Sequence, residues 1–91
     1  MKQIKIEHQP DQQRLQELGV DGWGIWEKEV AEFPWQYDAE ETCYFLAGEV
    51  VVITEDGDRY IMGKGDLVTF ARGLSCTWAI KQAVKKHYTF A

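Results

Sequence analysis

Few residues of this chain have both the type and the setting to do chemistry, and Glu41 leads them. It opens a run, Glu41-Thr42-Cys43-Tyr44-Phe45-Leu46-Ala47-Gly48, in which a carboxylate precedes alternating apolar residues. A carboxylate drawn among Trp, Tyr and Phe has its charged form penalised by desolvation unless a cation pairs with it. Such a group can bind a polar part of a ligand or move a proton. The competing expectation is an inward Glu satisfied by Lys28, Arg72 or backbone amides. Cys76 is the second candidate, a pocket thiol that becomes nucleophilic if Lys28 or Lys86 favours its thiolate. Against this stands the alternation that sets Cys76 on one face with Trp78 and Ile80, where it is a small core hydrophobe. Cys43, two residues after Glu41 on the same face, reads as core, with a Cys43–Cys76 disulfide as the lesser alternative.

The histidines offer less. Alternation in Val84-Lys85-Lys86-His87-Tyr88-Thr89-Phe90 puts His87 with Lys85 and Thr89, opposite Val84, Lys86, Tyr88 and Phe90. His8 lies in an N-terminal arm, where solvation is expected. No Ser-His-Asp order, HExxH or phosphate-binding glycine loop occurs. The aromatics Trp23, Trp26, Trp35, Tyr37, Phe70 and Trp78 either line a cavity that stacks on a planar ligand or fill a small barrel.

The elements that must position these residues are short. Pro10 to Leu18, with Leu15 and Leu18 three apart and Gly19 as a stop, predicts one helix. From Gly24 on, β-rich runs recur between turn signals: Gly24–Val30, Glu32–Tyr37, Thr42–Ala47, Glu49–Thr54, Arg59–Met62, Asp66–Phe70, Ser75–Ile80 and Val84–Phe90. Glu55-Asp56-Gly57-Asp58 has the Asp-Gly of a tight hairpin, and Gly63-Lys64-Gly65-Asp66 and Ala71-Arg72-Gly73 mark two further reversals. Strands so short and evenly punctuated predict an all-β barrel or jelly roll with one N-terminal helix.

The spacing also carries a family resemblance. Six residues separate Glu41 from Gly48, which fits the second half of the first cupin motif, G-x5-H-x-H-x3-E-x6-G. Gly65 to Cys76 fits the second, G-x5-P-x-G-x2-H, with Ala71 in the proline place and Cys76 in the histidine place. Together with Trp26-Glu27-Lys28-Glu29-Val30, Glu55-Asp56-Gly57 and Lys64-Gly65-Asp66-Leu67-Val68-Thr69-Phe70, the chain resembles the small single-domain cupins related to ureidoglycine aminohydrolase and the ethanolamine-utilisation cupin. The resemblance covers residues 20–91 and implies an RmlC-like jelly-roll barrel, preceded by an arm and helix over 1–19 in a single domain, 1–91. It also implies four metal-ligand positions, which here hold Trp35, Tyr37, Glu41 and Cys76. An indole nitrogen has no lone pair to give, and a tyrosine would have to lose a proton with a pKa of about 10. Glu41 and Cys76 pair a hard ligand with a soft one.

The expectation is therefore a barrel that binds a small polar or aromatic molecule without a cupin-type metal, its pocket lined by Trp26, Trp35, Tyr37, Glu41, Phe70, Cys76 and Trp78. One alternative is a metal-dependent lyase or aminohydrolase that has rebuilt its site from Glu41, Cys76 and His87 around Mn, Fe, Ni or Zn, with Glu41 and Cys76 as catalytic candidates. The other is a structural module that forms a homodimer, for which the edge Gly22-Trp23-Gly24-Ile25-Trp26 is suited.

Bulk properties narrow the partners. The chain has 91 residues, enough for one modest core, and 45% of them are hydrophobic. A formal charge of −5 argues against a nucleic-acid partner. No run of 18 apolar residues offers a membrane span, and the N-terminus lacks the apolar stretch of a secretory signal, which together predict a cytoplasmic protein. Two cysteines far apart in sequence fit reduced thiols.

Overall fold

The computed structural model describes residues 3–91. Seven strands, one short α-helix and one 3-10 turn follow in the order β1 (Ile4–His8), α1 (Gln12–Leu18), the 3-10 turn (Val20–Gly22), β2 (Gly24–Lys28), β3 (Ala31–Gln36), β4 (Glu41–Thr54), β5 (Arg59–Gly63), β6 (Asp66–Phe70) and β7 (Ser75–Phe90). All strand pairs are antiparallel. The all-β expectation with one helix holds, and no helix among the described residues is long and apolar enough to cross a membrane.

Two long strands organise the sheet. The first part of β4 pairs with β6 and with the last part of β7, while its second part pairs with β5 and with the start of β7. The start of β7 also carries β3, and its end carries β2. One half of the sheet thus runs β1-β6-β4-β7-β2, and the other runs β5-β4-β7-β3, with β4 and β7 bending through both. The pairing does not close into a ring: β1 and β2 end the main path. The result is jelly-roll-like, two halves folded face to face, rather than a hydrogen-bonded barrel.

Three sequence expectations are corrected here. Thr42–Ala47 and Glu49–Thr54 are one strand, as are Ser75–Ile80 and Val84–Phe90, because the breaks between them are bulges and register shifts rather than turns. The N-terminal arm is a strand over Ile4–His8, with Ile4 buried and residues 4–8 paired to β6. His8 is accordingly not simply solvated, since its Nδ1 lies 3.0 Å from Asp66 Oδ1 although most of the ring is exposed. The helix starts two residues later than Pro10, at Gln12. Asp11 caps it by accepting from the Arg14 amide at 2.9 Å, and Gly19 ends it at φ +71°.

The core lies between the two halves. Phe45 and Phe70 from one half meet Trp78 from the other at ring-centroid distances of 6.2 and 5.8 Å. Val50, Val52, Met62, Val68, Leu74 and Ile80 complete it, each 2% exposed or less. Trp78 is the hub, since Trp26 and Phe33 also pack on it. At one end of this core the packing opens into the pocket.

Candidate functional site

The pocket has a volume of about 200 Å³ and is walled by Trp26, Phe33, Trp35, Tyr37, Trp78, Tyr88 and Phe90, with Glu41 and Lys86 as its charged members. Trp35 and Phe90, 49% and 56% exposed, are the wall residues that reach furthest into solvent. Each side chain arrives by strand alternation: Phe33 and Trp35 from β3, Glu41 from the start of β4, Trp78 from β7 in one half, Lys86, Tyr88 and Phe90 from β7 in the other.

Glu41 and Lys86 form its polar floor. Glu41 lies opposite Phe90 on the β4–β7 ladder and Lys86 lies opposite Phe45, so the two side chains reach toward each other along the inner face past Cys43 and Tyr88. Lys86 Nζ donates to Glu41 Oε2 at 2.7 Å, and both side chains are 6% exposed. The ammonium also sits 5.0 Å from the Trp26 ring centroid and 4.6 Å from that of Trp78, so two indole faces share its charge. The partner of Glu41 is thus Lys86, and not Lys28, Arg72 or backbone amides as the sequence led one to expect; Lys28 lies over the Phe33 ring.

Tyr37 follows β3 and is fastened by its backbone, its N–H donating to the Leu74 carbonyl and its own carbonyl accepting from Gly73. Its ring stacks on Phe70 at 4.7 Å with 8° between planes. The hydroxyl accepts from Trp78 Nε1 at 3.1 Å. Burial above all, and then the neighbouring Glu41 charge, raises the phenol far above its ordinary pKa, so it stays protonated.

Of the seven residues expected to line a pocket, Trp26, Trp35, Tyr37, Glu41 and Trp78 do so. Phe70 is fully buried behind Tyr37, and Cys76, on β7 opposite Trp35, is not part of the wall. Phe33, Lys86, Tyr88 and Phe90 were not assigned to the site from sequence. Lys86 had a visible signal, a lysine on the apolar face of a β run, and such a residue demands a buried acid.

Cys43 and Cys76 are both buried free thiols. Burial pushes the Cys76 thiol up to about 11 and that of Cys43 up to about 12. Lys86 pulls the Cys43 value down but does not outweigh its desolvation, and no cation acts on Cys76. A nucleophilic Cys76 is thus not what its surroundings favour. With a soluble maleimide, native protein is expected to label negligibly below pH 9, with the Cys76 rate climbing only toward pH 11. Rapid modification at pH 7 would show that the thiolate is stabilised after all.

The four positions implied for a cupin metal do not fit a divalent ion. Trp35 has no lone pair to offer, Tyr37 is held as a protonated phenol, and the Cys76 thiol is protonated at neutral pH. Glu41 already has Lys86 as its counter-charge. His87 is on the other side of β7 from Lys86, lying beside Tyr44 and Ile25 in the ladders, and does not join Glu41 and Cys76. Among the described residues, no group of three or more His, Cys, Asp or Glu is placed to hold a metal.

Comparison with known proteins agrees with this architecture. The family model described as EutQ-like cupin domain matches residues 15–88. A DUF861 family protein from Thermotoga maritima is 55% identical and superimposes with a TM-score of 0.94, over 97% of this chain and 99% of that one. A putative ethanolamine utilization protein Q from Salmonella typhimurium is 28% identical with a TM-score of 0.67, over 74% of this chain and 54% of that one, so the match takes in about half of its length. An RmlC-like cupin from Shewanella frigidimarina, 17% identical with a TM-score of 0.55, covers 72% of this chain and 64% of its own and shares the fold. No curated protein matches. With a family match over most of its length and a bent, two-halved sheet beneath it, the chain belongs to the family of EutQ-like cupin domains.

Proposed function

We propose that the protein binds an organic molecule about the size of a single ring between the halves of its sheet, and that it does so without a cupin-type metal. The observation that carries this is the pocket of about 200 Å³ with aromatic walls on several sides and a satisfied ion pair at its base. A cavity of roughly 150 Å³ in an apolar core is enough for benzene, whereas drug-sized ligands use roughly 300–1,000 Å³. The space therefore suits one ring with a small substituent. Aromatic rings in the wall, such as those of Trp35 and Tyr88, can pack against a planar guest. Binding without a metal is supported by the chemistry of Trp35, Tyr37 and Cys76, and by Lys86, which supplies the positive charge that Glu41 needs.

The test is titration of EDTA-treated protein with toluene, followed through the four tryptophan indole N–H signals in a nitrogen-15 spectrum. The signals of Trp26, Trp35 and Trp78 are expected to shift, while that of Trp23, outside the pocket, stays in place. Absence of any shift, with toluene and with polar single-ring analogues such as benzamide alike, would sink the pocket reading. Shifts that return only after Mn, Fe, Ni or Zn is restored would instead favour a metal-dependent enzyme of the lyase or aminohydrolase kind.

A further inference from the structure

The polar groups of the pocket restrict what the ring can carry. Lys86 and Glu41 are opposite charges 2.7 Å apart and nearly excluded from water, so they cancel. A guest bringing a net charge would lose its hydration against aromatic walls with no counter-charge left to meet it. The ammonium is fully engaged, with one N–H given to Glu41 and its other faces toward the Trp26 and Trp78 rings.

Beside this ion pair, two groups at the floor of the pocket keep hydrogen-bonding capacity, Glu41 and Tyr37. A carboxylate has about four lone-pair directions, and the Lys86 hydrogen bond takes one of those of Glu41. The Tyr37 hydroxyl accepts from Trp78 Nε1, which leaves its own hydrogen to donate. Because burial keeps that phenol protonated, it is a donor across the whole neutral range. Glu41 and Tyr37 both line the ring-sized space, so an acceptor and a donor face the same guest.

We infer that the pocket selects an uncharged single-ring ligand bearing a hydrogen-bond donor beside an acceptor, as in an aromatic carboxamide or a lactam, with the donor meeting Glu41 and the acceptor meeting Tyr37. This ligand class rests on the pocket reading above. A buried carboxylate without a counter-charge would favour a cationic guest, but here Lys86 already fills that role.

Four probes of similar size separate the possibilities: toluene, benzamide, benzoate and benzylamine, each titrated at pH 7.5 against the indole signals. Benzamide is expected to bind at least about tenfold more tightly than each of the other three, the scale of one added hydrogen bond to a charged group. In Tyr37→Phe, benzamide should lose roughly tenfold in affinity while toluene is unchanged. Benzoate, benzylamine or toluene equalling benzamide in the wild-type protein overturns the ligand class and leaves the pocket standing. Failure of all four to bind overturns the pocket reading and the ligand class together.

Discussion

Lys86→Met is expected to cost about 3–5 kcal/mol of stability, and combining it with Glu41→Leu is expected to restore most of the loss. The size follows from burial: with Lys86 gone, the Glu41 carboxylate, 6% exposed, has neither its 2.7 Å hydrogen bond nor its counter-charge. Its alternatives are to take up a proton or to draw water into the pocket, and both cost free energy. The indole faces of Trp26 and Trp78, which lie against the ammonium, lose that attraction as well. In the double variant nothing charged is buried, and two apolar side chains of similar volume fill the floor. Small domains have only about 5–15 kcal/mol in hand, so the single variant should melt far below the wild type while the double variant approaches it. Thermal and urea unfolding of the four proteins in the cycle measure this. A loss in the double variant equal to the sum of the two single losses would mean that the pair is not coupled. If the double variant is as stable as the wild type yet no longer prefers benzamide to toluene, the ion pair is kept for what it recognises rather than for stability.

How much of this was legible in the sequence depended on range. Local signals are legible: the Asp-Gly of the β4–β5 hairpin, the glycine stop of α1 and the period-two alternation that sets Cys76, Trp78 and Ile80 on one buried face. The glycine spacing reached further, because Gly48 and Gly65 stand where backbone geometry leaves no choice. What failed was pairing. Ile4-Lys5-Ile6 alternates as a strand should, but three residues beside an unpatterned arm do not announce a partner, and that partner, β6, lies about sixty residues away. The continuity of β4 and β7 was hidden because a bulge and a turn use the same small or polar residues. Lys86 follows Lys85, and alternation alone says that one of them faces inward without saying what it meets there. Its acid is 45 residues away, a distance across which sequence spacing carries no information about contact.

Gly48→Ala is expected to cost at least about 3 kcal/mol, while Gly57→Ala, at a similar backbone angle, costs about 1–2 kcal/mol. Both glycines have positive φ, +101° at Gly48 and +87° at Gly57, so both substitutions strain the backbone. They differ in surroundings. A Cβ at Gly57 meets nothing within 4 Å, whereas one at Gly48 would collide with the Ala83 carbonyl oxygen and come within 2.8 Å of the Val84 Cα. Those are backbone atoms of β7 in mid-ladder and cannot swing aside as a side-chain tip can. Gly48 is also where the β4–β7 register shifts, from Ala47 opposite Lys85 to Glu49 opposite Gln82. This is the bend that turns one half of the sheet to face the other. Pushing β7 away there moves Val84 and, two residues on, Lys86, so the strain reaches the pocket floor as well as the core. Urea unfolding of the two alanine variants side by side gives the comparison, since the conformational part is common to both and the difference reports the close approach of β4 to β7. Equal losses would mean that the two strands can part at this bend without cost, and that the halves of the sheet are held in place by Trp78 and its aromatic neighbours alone.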